Sequence, residues 1–212
     1  MARPPSTANL LHFDGIPPAT APSQAGGPPI WLGGAAPAAL TRTGRRYDGW
    51  LPYPPDPADY RTGLAQVRRA AADAGRATDT ITPALFVSVL IADTVESGRD
   101  ALADYSRANY GLALRDLEAI QAVTTGPSAQ VAAHLAGYIA AGARHLVCRI
   151  GTVGLGSARD QLERLAEILP GLRGPSCGSG GSGEGRGEGG AGADEGGGRA
   201  AGEVVAHAHG GT

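Results

Sequence analysis

PIWLGGAAP, residues 29–37, holds the main signal of this chain. A short apolar run ends in two glycines, and Ala-Ala-Pro, a helix opening, follows at once. That is the grammar of a strand turning directly into a helix. Gly33 and Gly34 let the backbone turn tightly and let a ligand come close. The first amides of the helix, reached through Ala35 and Ala36, have no intrahelical acceptor and suit a phosphate. An ordinary strand–helix turn would read the same way. The third spaced glycine of the dinucleotide fingerprint is absent.

Reading outward, residues 35–46 are alanine-rich and helical. Residues 48–51 (DGWL) make a very short strand. Residues 57–74 form a helix, with Tyr60, Leu64, Val67, Ala71 and Ala74 at helical spacing, Pro57 in its first turn and Gly75 at its stop. Residues 83–92 (PALFVSVLIA) are nearly all apolar, the pattern of a strand buried on both faces. Helices are expected over 94–108, 111–122 and 127–141, then a strand over 145–150 (HLVCRI) and a helix over 157–169. Ser157 and Asp160 suggest a capping box for the last helix.

Strands alternating with helices imply a parallel sheet with crossover helices. Four strand–helix units fit either a partial barrel or a small open sheet. Such a sheet would leave its edges bare, which raises the expectation of a missing partner.

The flanks read differently. Residues 1–28 are rich in Pro, Ala and Ser and read as loop. Residues 173–212 carry almost no large apolar side chain and read as a disordered glycine-rich tail. Residues 29–172 are the folded domain between them. Their scattered charges, the net charge of -2 and the lack of basic patches argue against nucleic-acid partners. No apolar run reaches the length of a membrane span or of an export signal. With two cysteines and no disulfide or zinc spacing, a cytoplasmic chain with a buried free Cys148 is expected.

Few residues announce chemistry. Trp50 suits the core or a pocket wall. Arg149, in an otherwise apolar strand, must either pair with a carboxylate such as Asp48 or Asp93 or face a site. His145 opens the same strand and reads as structural, and His207 and His209 in the tail are not taken as metal ligands. With no triad, zinc spacing or P-loop, an enzyme built on this chain would rely on a cofactor for its reactive chemistry.

Three segments together, LHFDG (11–15), PPIWLGG (28–34) with DGWLP (48–52), and TTGPSAQVAAHLAGYIAAGARHLVCRI (124–150), resemble the luciferase-like monooxygenase superfamily of FMN- and F420-dependent oxidoreductases. The resemblance implies a (β/α)₈ TIM barrel, of which this chain would supply about strands 5–8, the C-terminal half. It implies FMN or coenzyme F420 as cofactor and a small-molecule substrate. Gly33, Gly34 and Ala35 would touch the cofactor phosphate. Trp50 and Leu51, with Pro52, would lie near its tail or ring, and Arg149 would contact cofactor or substrate. Thr125-Gly126-Pro127 stands where the family has Gly, then Thr or Ser, then Pro, which weakens the helix cap there. The chain thus reads as a truncated oxidoreductase, with self-association or a separate N-terminal half-barrel completing it. The alternative is a non-catalytic, partner-binding remnant.

Overall fold

The computed structural model describes residues 23–172 and, as backbone, three short strands outside that range: Ser6–Ala8, Leu11–Phe13 and Glu203–His207. The chain forms two units, Met1–Ile30 and Trp31–Thr212. In the first, β1 (Ser6–Ala8) and β2 (Leu11–Phe13) pair antiparallel with Thr7 opposite His12. This corrects the reading of 1–28 as loop throughout. Strands of three residues carry too few alternations to show a period of two.

The second unit runs β3 (Trp31–Leu32), α1 (Pro37–Arg46), β4 (Gly49–Trp50), α2 (Pro57–Asp73), β5 (Thr82–Ile91), α3 (Val95–Tyr110), α4 (Leu114–Glu118), β6 (Val123–Gly126), α5 (Ser128–Ala140), β7 (His145–Ile150), α6 (Leu155–Leu172) and β8 (Glu203–His207). Its strands pair in parallel in the order β3-β4-β5-β7-β8, and β6 lies along the C-terminal half of β5. The result is an open parallel sheet with flanking helices, consistent with an incomplete TIM-barrel-like fold.

β5 organises the core because both its faces are covered. Leu85, Val87, Val89 and Ile91 join Leu146, Cys148 and Ile150 of β7 against α2, α5 and α6. Leu90, on the other face, packs with Leu102 and Tyr105 of α3 and with Leu114. α1 and α2 cross closely at Gly44, where an added Cβ would stand 2.4 Å from the Val67 carbonyl oxygen.

Four expectations need correction. Val123–Gly126 is a strand, β6; its β-branched Val-Thr-Thr pairs with Ser88–Ile91, a partner too distant in sequence to be read locally. The helix expected over 111–122 is only Leu114–Glu118. Ser157 makes no capping box, because α6 begins at Leu155 and Ser157 Oγ instead donates to the Val153 carbonyl. The capping box belongs to Thr94 and Ser97 at the start of α3. Finally, Glu203–His207, inside the segment read as a tail, pairs in parallel with β7, as its Val-Val core suits a strand. The rest of that segment lies outside the described residues.

Candidate functional site

The site grows from the β3–α1 turn. Gly34 sits at φ +93°, a conformation that favours glycine. A side chain at Gly33 would touch the Leu51 carbonyl oxygen at 3.4 Å. Ala36 caps α1 without any side-chain hydrogen bond, and Pro37 occupies the first turn. The helix start therefore offers its free amides and positive dipole end to a ligand.

β4 fixes this turn from the side. Trp50 is fully buried, and its indole Nε1 donates to the Gly34 carbonyl at 3.0 Å. The ring stacks on Tyr60 at 5.1 Å, and Tyr60 Oη donates to the Ala84 carbonyl. Gly63 of α2 leaves the space for that ring: a Cβ there would stand 2.5 Å from Trp50 Cη2. Leu51 N–H donates to the Leu32 carbonyl and continues the β3–β4 ladder.

The loop after β4 is held as firmly. Phe86 N–H donates to Pro52 O, Ala122 N–H to Tyr53 O, and Tyr138 Oη to Pro54 O, all between 2.8 and 2.9 Å. Asp56 then caps α2 through its Oδ1 and the Ala58 amide. Between turn, loop and α2 lies a cavity of about 380 Å³. Gly34, Ala35 and Trp50 line it, with Tyr53, Pro54, Pro55 and Ile120 as apolar walls and Asp59, Thr62 and Gln66 as a polar stripe on α2. The sequence reading named the first three of these residues. It missed the stripe, whose only signal is polar residues at helical spacing on the side away from Tyr60 and Leu64.

Arg149 stands apart from this cavity. Its Nη1 donates to Tyr110 Oη at 3.0 Å, and its guanidinium lies over the rings of Tyr105 and Tyr110. The partners are tyrosines of α3 and not the carboxylates Asp48 or Asp93; Asp93 pairs with Arg164. His145 meets Trp31 edge to face at 4.8 Å, a packing role. Cys148 is buried, and burial pushes its thiol up to about 12. Pro127 heads α5 with no side-chain cap, as the Thr-Gly-Pro order leads one to expect. Among the described residues no group of three or more His, Cys, Asp or Glu could hold a metal ion, and no helix is long and apolar enough to cross a membrane.

The second unit is thus an open parallel α/β sheet with a glycine turn and an uncapped helix at the C-terminal end of its first strand. The family pattern of luciferase-like monooxygenases matches residues 8–169, and the chain belongs to that family. The match covers most of the chain, which corrects the expectation that the likeness is confined to a C-terminal half. Among curated proteins, the phthiodiolone/phenolphthiodiolone dimycocerosates ketoreductase of Mycobacterium tuberculosis is 38% identical over 76 residues, 35% of this chain and 20% of that protein. The Mycobacterium kansasii ketoreductase is 39% identical over 79 residues. Among solved structures, an F420-dependent secondary alcohol dehydrogenase in complex with an F420-acetone adduct superposes with a TM-score of 0.63 at 12% identity, over 80% of this chain and 56% of that one. The F420-dependent tetrahydromethanopterin reductase of Methanopyrus kandleri gives 0.54 at 18% identity, over 68% and 51%. A riboflavin lyase with modified FMN gives 0.55 at 18% identity, over 79% and 48%. These likenesses show the fold, and the matched region spans about half of each solved chain and about a fifth of the curated relatives.

Proposed function

We propose that this chain serves a cytoplasmic oxidoreductase acting on a small molecule, and that Gly33, Gly34 and Ala35 hold the phosphate of its cofactor, FMN or coenzyme F420. The observation that carries this reading is the uncapped α1 helix start opening on a cavity that already contains Gly34, Ala35 and Trp50. The residues present fit a phosphate. Gly33 and Gly34 bring no side chain to crowd it, and the helix start has no capping side chain to compete. Trp50 and Leu51 would fix the turn and border the cofactor, Trp50 through its bond to the Gly34 carbonyl. When bound, the cofactor supplies the redox chemistry; this chain's part is to bind, orient and shield it.

Equilibrium titration with FMN and with F420, followed by cofactor fluorescence, tests the reading. Gly34→Asp should weaken binding of the preferred cofactor by more than Gly34→Ala, because both strain a positive φ but only Asp repels the phosphate. The excess should shrink as salt rises. Equal effects of the two variants, or none, would contradict the site.

One feature of the sheet favours a second reading. β3 is the end strand of the ladder and takes no strand on its outer side among the described residues. In that reading the chain acts through self-association along this edge. Sedimentation velocity over a range of concentrations separates the two: a monomer throughout removes the second.

A further inference from the structure

We propose that Arg149, clamped by Tyr105 and Tyr110, is a recognition site for the carboxylate of a small molecule, distinct from the phosphate turn. Arg149 lies in register with Ser88 on the neighbouring strand, on the sheet face opposite α5 and α6. Its Cζ is 5.5 Å from the centroid of Tyr105 and 5.3 Å from that of Tyr110. The two rings are themselves edge to face at 6.0 Å. Both come from the last turns of α3, which ends at Gly111 with φ +66° and is tied down by Ser106 Oγ bonding to the Leu112 carbonyl.

No described carboxylate neutralises the charge inside it. Among the described residues, every ion pair leaves Arg149 out. Aromatic faces attract a guanidinium but carry no counter-charge. A guanidinium has five N–H donors, and the structure gives this one a single acceptor, Tyr110 Oη. Beside it, the buried Tyr105 Oη has Tyr110 and Ser88 as polar neighbours but makes no well-formed hydrogen bond to either, which leaves it able to donate to a ligand. Arg149 itself is only half-buried, so a small ligand can reach it.

These features select the ligand. A carboxylate takes two parallel bonds from a guanidinium and still has a lone pair for a phenol. A phosphate dianion would call for a second cation, and among the described residues none pairs into this cluster. The aromatic walls suit an apolar body behind the carboxylate. As an anion site the proposal stands alone; as the substrate's site it rests on the oxidoreductase reading above.

Isothermal titration of the full chain with benzoate, and separately with inorganic phosphate, tests it. Benzoate should bind the parent protein. Arg149→Lys keeps the charge and most of the packing but loses the fork, and should weaken benzoate at least about tenfold. Tyr110→Phe keeps the ring and loses the bond that orients the guanidinium, and should weaken it several-fold. Gly34→Asp should leave benzoate unchanged, so failure of the cofactor site does not touch this result. Circular dichroism melts confirm that the variants fold. No benzoate binding, unchanged affinity in folded Arg149→Lys and Tyr110→Phe, or Arg149-dependent phosphate binding tighter than benzoate would each overturn the proposal.

Discussion

Two helical glycines should respond oppositely to the same substitution. Gly63 of α2 faces the Trp50 indole, and an added Cβ would stand 2.5 Å from Cη2 and 2.9 Å from Cζ2. The ring cannot swing aside, because it is fully buried, stacked on Tyr60 and bonded to the Gly34 carbonyl. Gly→Ala in a helix interior gains roughly 0.8–1 kcal/mol. Overpacking a buried site costs about 1–3 kcal/mol. Contact this close puts the overpacking toward the upper end, so Gly63→Ala should lose about 1–2 kcal/mol net. A Cβ added at Gly137 of α5 would meet only Pro57, its Cγ at 3.4 Å and its Cβ at 4.0 Å, ordinary contacts. Gly137→Ala should therefore gain roughly 0.5–1 kcal/mol. Urea unfolding of the two variants, compared at matched slopes, reads both signs. Gly63→Ala as stable as the parent would mean that Trp50 is not held as described, and the account of the turn would fail with it.

Gly44→Ala should cost more than Gly63→Ala, since its Cβ would meet backbone atoms of α2, the Val67 oxygen at 2.4 Å and the Ala71 nitrogen at 2.8 Å; loss of a cooperative transition or a drop in midpoint beyond that of Gly63→Ala is expected. Cys148, its thiol pushed up to about 12 by burial, should resist iodoacetamide at pH 8 in the folded protein and react on unfolding, as peptide mapping would show. Burial lowers the His134 pKa, with Asp56 opposing, so the folded state favours the neutral ring. Its stabilising contribution is complete above the unfolded imidazole value, about 6.5, and falls away as pH drops below it. The melting temperature of the parent should decline from pH 7.5 to 5.5 more than that of His134→Gln; equal declines would exclude His134 as a source.

The elements that could be read from sequence are those whose cause is local. The β3–α1 turn shows in its two glycines, β5 in its nearly continuous apolar run, and α2 in Tyr60, Leu64 and Val67 at helical spacing. Gly34, Ala35 and Trp50, which line the cavity, could be named for the same reason, since each sits where a strand ends. What escaped depends on distant partners. β6 exists because Val123–Gly126 finds the C-terminal half of β5, and β8 because Glu203–His207 finds β7. The surroundings of Arg149 come from Tyr105 and Tyr110 on α3, which local patterning could not connect to β7. Asp59, Thr62 and Gln66 of α2 are exposed and have the pattern of a solvated helix face; only their position beside the loop after β4 sets them along the cavity.

The central claim is that the β3–α1 turn receives the cofactor phosphate. Residue-resolved amide NMR of the full chain, titrated with FMN and with F420, tests it most directly. One of the two should move the amides of Gly34, Ala35, Ala36 and Ala38 and the indole N–H of Trp50 first and furthest. Saturable binding of either cofactor that leaves those signals in place, or no binding of either, would contradict it.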